Sequence, residues 1–526
     1  KNLILTCGRD SKQNLKAFDL SMNEKALPFE WNEPVGTEAF NLGLRVVVTT
    51  SDTTLLLADY QNIIKEYDFK NNAWVKTFKG HASPIYDLSV DRSGTKLAIA
   101  AGQSSIQVLD LTGTDTDIIL PGSRLGSRAV SFHPVNPVIA SYGLDEQIRV
   151  TNLINQKELF TLKAKGDYST TPITFDISGR YVIRKSSEED FDLYNFSTSQ
   201  PQNLKVKNGK DYVFTPDGRQ LVFLTNKGLT VYDPISFLKV KDVSLENAQG
   251  ITIGSNGTLA VLLKDDLTAE MYQTNQLTKN GQITLAKPAD KLYWSPSGKE
   301  LIGVRNSIKR GESGADYSIY IFDASNGKLL KTLPGHSGFT YDIEFVNGKM
   351  LTASIDGTVK IWQISGSATD PKGTLIPMDS DQYVVTTPKG LFDATPAAME
   401  QIHYVKKGKI IKLEQIKDNY YEPMLLSKLL ELNSEPIRSS NDLANESLYP
   451  ELSLKHPLKN EGKLGINLSN NGGGIGRVII LINGKEVSSD VRSASGTPDA
   501  SSLEIDYDIT NHPFLYNDRV NKITIK

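Results

Sequence analysis

The 526-residue sequence has a single cysteine, Cys7, and only six histidines, and both shortages exclude classes of protein. One cysteine cannot form an intrachain disulfide framework, so an apolar core has to hold the fold together. The histidines are His81, His133, His336, His403, His456 and His512. They are scattered along the chain without the close spacing that metal ligands usually show. We therefore expect no metal ion and no cofactor.

Excess charge and long apolar segments are missing as well. The formal net charge is -3 at pH 7, which gives no electrostatic basis for binding nucleic acid or an anionic membrane. No apolar run approaches the roughly 20 residues that are needed to span a bilayer. We expect protein partners rather than nucleic acids or membranes, and the scarcity of cysteine favours a cytoplasmic location.

The two ends of the sequence resemble interior segments of a chain. Lys1 enters the strand-like run LILTC at once, and the sequence stops at Lys526 within another such run, NKITIK. We expect the natural protein to extend beyond both ends. A signal peptide ahead of Lys1 is therefore an alternative to the cytoplasmic location.

A turn that contains glycine, followed by an apolar run, recurs through most of the sequence at intervals of about 40 residues. The turn glycines are Gly94, Gly179, Gly218, Gly257, Gly298 and Gly348. A second apolar run follows each turn, as in IQVLDL (106–111) and VKIWQI (359–364). No helical periodicity appears before about residue 395. Four short strands per unit of this length are typical of a β-propeller blade, so we predict an all-β fold.

The unit GHSGFTYDIEFVNGKMLTASIDGTVKIW (335–362) resembles a WD repeat. The resemblance implies a hydrogen-bonded tetrad that fixes the geometry of one blade, because a fully satisfied buried relay specifies a single arrangement. Its members by alignment are His336, Thr352, Asp356 and Trp362. A metal or catalytic role for His336 with Asp356 is the alternative interpretation.

The number of blades is open at this point. Seven units span residues 81–366, which favours a seven-bladed ring. Two more units precede them, and the first lacks its opening strand, so residues 1–80 either enlarge the ring to eight or nine blades or end a preceding propeller. We favour the preceding propeller.

The pattern changes after the propeller, where residues 367–450 predict a connector and linker. Residues 381–396 are typical of a hairpin, and Thr395 is placed to cap a short helix. Residues 412–432 predict two helical pieces separated at Pro423.

Two strings in this connector carry a second resemblance: YVVTTPKGLFDATPAAMEQIHYV (383–405) and LEQIKDNYYEPMLLSKLL (413–430). They resemble the connector of bacterial multidomain proteins that join WD repeats to a caspase-like peptidase. In that family an immunoglobulin-like β domain follows the connector. The resemblance therefore implies an immunoglobulin-like sandwich at residues 451–526.

The glycine-rich stretch NNGGGIGRVIILINGKEV (470–487) raises the question of a phosphate-binding loop. Such a loop needs a helix after the glycines, whereas here an aliphatic run and an Asn-Gly hairpin signal follow. We therefore predict a corner between two strands of the sandwich.

The sequence departs from the caspase-like family at the residues that catalysis requires. Such a peptidase needs a nucleophilic cysteine with a histidine base, and Cys7 stands in a blade strand without the family signature. We therefore predict no catalytic residue here, and any peptidase domain would lie beyond Lys526.

These features leave three hypotheses for function. In the first, the chain is the non-catalytic, regulatory region of a bacterial caspase-like protein, and the propeller binds a protein partner. Partner-binding candidates at the start of inner strands are Tyr86, Phe339 and Tyr341, unless these side chains pack between blades. The second hypothesis is a stand-alone scaffold, and the third is an enzyme that uses channel acids. Inner-strand acids that could serve the third hypothesis are Asp87, Asp211 and Asp342.

Overall fold

A computed structural model describes much of the chain. The described residues are 3–7, 15–19, 21–25, 46–51, 54–58, 63–68, 71, 73–79, 83–102, 104–123, 126–163, 173–185, 191–196, 200–204, 206, 208–306, 314–378, 381–406, 409–443, 450–455, 462–492 and 500–526. His81, His456 and the side chain of Cys7 lie outside them. The chain forms two compact units: residues 1–404 with 420–438, and residues 405–419 with 439–526.

The first unit consists of antiparallel sheets whose strands follow one another in chain order. Sheet A has three strands, β1 (Leu3–Cys7), β2 (Leu15–Asp19) and β3 (Glu24–Lys25). Sheet B has four, β4 (Val46–Ser51), β5 (Thr54–Ala58), β6 (Ile63–Asp68) and β7 (Ala73–Lys79). Sheet C has β8 (Ile85–Val90), β9 (Lys96–Ala101), β10 (Ser105–Asp110) and β11 (Ile118–Pro121). Sheet D has β12 (Ser127–Phe132), β13 (Val138–Gly143), β14 (Gln147–Asn152) and β15 (Glu158–Lys163).

The same four-stranded pattern continues through sheets E to H. Sheet E has β16 (Thr174–Phe175), β17 (Tyr181–Lys185), β18 (Phe191–Asn195) and β19 (Gln200–Leu204). Sheet F has β20 (Gly209–Phe214), β21 (Leu221–Thr225), β22 (Gly228–Tyr232) and β23 (Lys239–Ser244). Sheet G has β24 (Ala248–Ile253), β25 (Thr258–Leu263), β26 (Thr268–Gln273) and β27 (Thr278–Thr284). Sheet H has β28 (Lys291–Trp294), β29 (Glu300–Val304), β30 (Ile319–Asp323) and β31 (Leu329–Leu333).

Sheet I is longer than the others and has six strands. They are β32 (Thr340–Val346), β33 (Lys349–Ser354), β34 (Val359–Gln363), β35 (Gly373–Pro377), β36 (Tyr383–Thr386) and β37 (Phe392–Ala394). The sequence predicts the β36–β37 hairpin correctly but assigns it to a separate connector. In the structure β36 pairs with β35, so the sheet continues past the predicted propeller boundary at residue 366.

Turn chemistry explains the regular spacing of the sheets. In sheets C and E to I, the hairpin between the first two strands contains a glycine at positive φ, for example Gly94 at 71° and Gly218 at 68°. A side chain at such an angle costs free energy that glycine avoids. The six glycines of the sequence repeat all adopt this conformation. The prediction that they mark turns between strands is confirmed.

The apolar core lies between successive sheets. Each buried cluster from sheet C to sheet I draws its side chains from two neighbouring sheets. Phe191 of sheet E, for instance, lies 4.7 Å from Phe223 of sheet F between ring centroids. Full burial of such a side chain is worth roughly 1.5–3 kcal/mol. Because both faces of a sheet are apolar, each sheet needs a neighbour on both sides.

Three short helices and a hairpin follow sheet I. These elements are α1 (Pro396–Gln401), β38 (His403–Lys406), β39 (Lys409–Lys412), α2 (Leu413–Tyr420) and α3 (Leu425–Leu429). The predicted cap residue Thr395 is the N-cap of α1, although its hydroxyl donates to Gln382 Oε1 at 2.6 Å instead of capping the helix. The predicted break at Pro423 separates α2 from α3. No helix among the described residues is long and apolar enough to cross a membrane.

Residues 378–404 and 420–438 contact sheets C and I, and we call these two segments together the extension. On the sheet C side, Gln107 Nε2 donates to the carbonyl of Met378 at 2.6 Å, and Ser427 Oγ donates to the carbonyl of Thr112 at 3.0 Å. On the sheet I side, Lys349 Nζ lies 2.7 Å from a carboxylate oxygen of Glu431. The extension therefore joins two sheets that are far apart in the sequence.

The second unit is a two-layered β structure. One sheet contains β40 (Glu451–Leu454), β41 (Lys463–Ser469) and β44 (Ser502–Asp508), and the other β42 (Ile480–Ile482), β43 (Lys485–Ser488) and β45 (Ile523–Ile525). Leu464, Ile466 and Ile480 belong to one buried cluster that both sheets share.

The glycine-rich stretch connects these two sheets, as the sequence predicts. It follows β41 and leads into β42, while Asn470 Oδ1 accepts hydrogen bonds from the amides of Gly472 and Gly474. Asn483 and Gly484 then turn into β43 with φ of 52° and 82°, which is the geometry that an Asn-Gly hairpin requires. The prediction of a β corner is confirmed.

A buried ion-pair network inside the extension provides a test of its contribution to stability. Glu422, which is 4% exposed, pairs with Lys428 and with Arg438 Nε at 3.0 Å. Removal of one partner from such a pair leaves an uncompensated buried charge. We expect Glu422→Gln to lower the free energy of unfolding by about 2–3 kcal/mol, measured from urea unfolding midpoints.

The matched control is Glu435→Gln. Glu435 contacts the same Lys428 at 3.2 Å, but its side chain is 67% exposed. We expect almost no change in the free energy of unfolding, because solvent-exposed ion pairs contribute little to stability. Equal destabilisation by the two variants would contradict a special role for the buried pair.

Candidate functional site

The four residues of the predicted tetrad lie together in sheet I. Trp362 Nε1 donates to Thr352 Oγ1 at 2.9 Å, and Thr352 Oγ1 lies 2.7 Å from His336 Nε2. His336 Nδ1 lies 2.8 Å from Asp356 Oδ2. A proton on Nδ1 that is donated to Asp356 leaves Nε2 to accept the threonine hydroxyl, so one proton arrangement satisfies the whole relay.

The surroundings of Asp356 keep it ionised. Burial acts to raise its pKa, but the hydrogen bond and charge of His336, the Thr358 hydroxyl and the Ser337 amide lower the pKa well below the usual range. Both ring nitrogens of His336 are occupied by partners within the protein. This geometry supports a structural role for the pair and leaves no nitrogen available to bind a metal.

The tetrad predicts a large loss of stability when its central hydroxyl is removed. Thr352 and Trp362 are 0% exposed, so Thr352→Val leaves the indole N–H buried without an acceptor. We expect the free energy of unfolding to fall by about 2–3 kcal/mol, measured by urea unfolding. Thr332→Val is the control, since Thr332 lies on the outer strand β31 and its side chain takes no part in such a relay. A similar loss in both variants would contradict this account.

A second feature recurs near the start of the innermost strands. In β8, β12, β20, β24 and β32 the pairing register shifts by one residue, which is the signature of a β-bulge. A bulge leaves one residue unpaired and redirects its side chain. The residues at the bulge positions are Tyr86, Arg128, Lys210, Gln249 and Tyr341.

The residue after the bulge connects neighbouring sheets in three places. Asp87 Oδ2 accepts from the amide of Val130 at 2.8 Å, and Asp211 Oδ2 accepts from the amide of Ile251 at 3.3 Å. Asp342 Oδ2 of sheet I accepts from the amide of Leu88 of sheet C at 3.1 Å. The three acids that the sequence offered as channel ligands are therefore bonded to the backbone of the adjacent sheet.

Two of the three partner-binding candidates lie side by side. The rings of Tyr86 and Tyr341 have centroids 5.6 Å apart, and the guanidinium carbon of Arg128 lies 3.6 Å from the Tyr86 centroid. All three side chains are half-buried, and we call them the inner rim. Phe339 lies elsewhere and contacts Tyr317, with ring centroids 5.1 Å apart.

Sequence reasoning missed Arg128 and the bulges. A signal was present, because an aspartate follows the bulge residue in the pairs Tyr86-Asp87, Lys210-Asp211 and Tyr341-Asp342. Arg128 lacks this signal, since the residue that follows it is Ala129. Only the contact with Tyr86 shows its place in the inner rim.

Acidic groups also lie close together on the inner strands. Burial, together with the charge of Asp342, raises the pKa of Glu344 to about 8, although the Phe345 amide and Lys291 act in the opposite direction. Burial and Asp342 likewise raise the pKa of Asp87. No group of three or more histidine, cysteine, aspartate or glutamate side chains in the described part of the chain is placed to hold a metal ion.

The raised pKa of Glu344 predicts a pH dependence of stability. Between the unfolded value near 4.5 and about 8, the folded protein binds more protons than the unfolded chain. Stability from this group is therefore present at low pH and is lost as the pH rises through 8. We expect Glu344→Gln to raise the melting temperature at about pH 9, with little effect at about pH 5.

The control for this experiment is Glu246→Gln, at an exposed position in the turn before β24. It should leave the difference between the two pH values unchanged. Asp87 also has a raised pKa, so part of the pH dependence should remain in Glu344→Gln, whereas a pH dependence as large as that of the wild type would contradict the assignment.

Comparisons with known proteins agree with this architecture. Residues 73–110 and 327–363 match the WD40 family, described as WD domain, G-beta repeat. Each match begins at or beside the last strand of one sheet and includes the first three strands of the next. The second match contains the whole tetrad.

Longer alignments are to WD-repeat proteins. The chain is 23% identical over 308 residues to Retinoblastoma-binding protein homolog 5 of Caenorhabditis elegans, covering 56% of this chain and 59% of that protein. It is 20% identical over 337 residues to human Serine-threonine kinase receptor-associated protein, covering 62% and 81%. A shorter alignment, 42% identical over 55 residues, is to Pre-mRNA-processing factor 19 homolog 2 of Arabidopsis thaliana, with 10% of each chain covered. These similarities and the four-stranded sheets support a WD-repeat propeller.

Proposed function

We propose that this chain is the non-catalytic, protein-binding region of a bacterial caspase-like protein, and that a protein partner binds at the inner rim. The observation that carries the binding role is the cluster of Tyr86, Tyr341 and Arg128, which β-bulges direct to one place between sheets C and I. Tyrosine and arginine are the residue types most enriched where binding energy concentrates in protein interfaces.

The names of the relatives support an interaction role. One is named as retinoblastoma-binding and another as receptor-associated, and both match this chain over more than half its length. The hydrogen bonds of the tetrad fix the geometry of sheet I. The aspartates that bond adjacent sheets and the apolar clusters between the sheets keep the whole array rigid. A rigid frame lowers the entropy cost of presenting a binding surface.

Contacts between sheets C and I support closure of sheets C to I into a seven-bladed ring. Asp342 and Leu88 join the two sheets by a hydrogen bond, although they are 254 residues apart in sequence. On this proposal, sheets A and B belong to a preceding propeller. The two-layered second unit is proposed to be the immunoglobulin-like domain.

The regulatory part of the proposal rests on the connector resemblance and on the extension. The inner rim is formed by side chains of sheets C, D and I, and the extension contacts sheets C and I. A partner that shifts one of these sheets would therefore act on the segment that leads out of the propeller. The peptidase would be supplied by sequence beyond Lys526.

The binding role is tested by identifying a partner in the native cell by cross-linking and then measuring its dissociation constant with purified proteins. We expect Tyr86→Ala with Tyr341→Ala to weaken binding about 30-fold or more, because central aromatic anchors are typically worth 2 kcal/mol or more. Ile235→Ala is the control, since Ile235 is 63% exposed on the hairpin between β22 and β23. Unchanged affinity in the double variant would exclude the inner rim as the docking surface.

The regulatory role is tested separately. Mass spectrometry of the natural gene product should give a mass well above 58.0 kDa, with a peptidase sequence after Lys526. Peptidase activity of that product should then change when residues 1–366 are removed. If the peptidase activity is the same with and without these residues, the region does not regulate the peptidase and the scaffold hypothesis stands in its place.

A further inference from the structure

Among the described residues, no acidic side chain forms an ion pair with Arg128, in contrast to two other arginines that the fold buries at least in part. Arg149 pairs with Asp145, and Arg305 pairs with Asp290. Arg128 instead lies over the ring of Tyr86, and its Nε is buried without a hydrogen-bond acceptor among the described residues. Of the five N–H donors of the guanidinium fork, the one on Nε is therefore buried without an acceptor among the described residues.

The cost of this arrangement indicates an external partner. Burial lowers the pKa of Arg128 to about 10, with only Tyr341 acting in the opposite direction, so the group is still cationic at neutral pH. A buried charge without a counter-ion is unfavourable. Stacking on Tyr86 recovers part of this cost, but it cannot satisfy the N–H groups.

The two acids that follow the tyrosines of the inner rim bind other groups. Asp87, the neighbour of Tyr86, accepts from the Val130 amide, and Asp342, the neighbour of Tyr341, accepts from the Leu88 amide. Both bonds connect adjacent sheets, and neither carboxylate is paired with Arg128 in the structure. An acceptor for Arg128 has to come from outside this set.

We propose that Arg128 receives a carboxylate of the partner, an aspartate or glutamate side chain in an extended segment, while Tyr86 and Tyr341 contact the apolar part beside it. This inference rests on the proposed function of the inner rim as the docking surface. A carboxylate matches the guanidinium fork by two parallel hydrogen bonds. A phosphorylated segment fits less well, because phosphate sites usually combine several arginines.

The polar side chains at two other bulges already have acceptors within the protein, which leaves Arg128 as the one bulge residue that we propose for an anionic contact. Lys210, at the equivalent bulge of sheet F, uses its ammonium group to donate to the carbonyl of Ala248 at 3.0 Å. Gln249, at the bulge of sheet G, donates to the carbonyl of Asp290 at 3.0 Å. Both reach the backbone of the next sheet, whereas Arg128 does not.

The test is a selection of random peptides displayed on phage against the whole 526-residue chain, followed by binding measurements on the synthetic peptides that emerge. We expect peptides that bind the wild-type protein to share one acidic position. Replacement of that acid by Gln or Asn in the peptide should raise the dissociation constant about tenfold or more. Arg128→Met should abolish this difference, and selection on Arg128→Glu should yield a basic residue at the same position.

Two further variants keep the experiment interpretable. Arg128→Lys retains the charge without the fork, so the acidic preference should persist with weaker affinity. Arg219→Met removes an arginine whose side chain is 85% exposed on the β20–β21 hairpin, and it should leave the preference unchanged. Melting temperatures close to that of the wild type verify that the variants fold.

The outcomes separate this inference from the proposed function. Peptides that need Tyr86 and Tyr341 but show no acidic preference, or keep it in Arg128→Met, overturn the carboxylate site and leave the docking surface standing. Peptides that require a phosphate in place of the acid overturn the carboxylate site in the same way. Peptides indifferent to Tyr86→Ala with Tyr341→Ala, or an absence of any binder, overturn both.

Discussion

Sheets D to H are apolar on both faces, and this is the constraint on which the rest of the structure depends. A four-stranded antiparallel sheet of this kind cannot bury both faces alone, so it packs between two neighbours, as the shared clusters from sheet C to sheet I show. In an array built in this way, the first and the last sheet each have one face without a neighbour unless these two sheets contact each other. The hydrogen bond from the Leu88 amide to Asp342 is where sheets C and I meet.

Backbone geometry and side-chain chemistry act together at that meeting point. The β-bulge at the start of an inner strand directs one side chain out of the pleat, and the following aspartate bonds the amide of the next sheet. One local irregularity therefore links neighbouring sheets and redirects a side chain at the start of the inner strand. The residues of the inner rim stand at these bulges, and in two of the three cases the next residue is an aspartate that bonds the adjacent sheet.

The extension makes further contacts with the same two sheets, C and I. It adds two strands to sheet I and contacts the carbonyl of Thr112 in sheet C through Ser427. The buried Glu422–Lys428 ion pair fixes the conformation of the extension, because two buried charges are stable only when they stay in contact. The inner rim and the extension thus share sheets C and I.

Local sequence was sufficient for much of the fold. The turn glycines, the β36–β37 hairpin, the break at Pro423 and the Asn483-Gly484 turn all follow from the φ angles and hydrogen bonds that these residue types permit. The tetrad could be aligned because one unit resembles a WD repeat. Such features depend on residues close together in the chain, which is why periodicity and composition reveal them.

Contacts between distant segments were decided only by the tertiary structure. Pairing of β36 with β35, the bond between Asp342 and Leu88, and the position of Arg128 over Tyr86 each join groups whose proximity no local pattern encodes. Sequence alone determined an all-β array of four-stranded units with one well-formed tetrad. The tertiary structure decided which side chains the bulges bring together, because that depends on which sheets become neighbours.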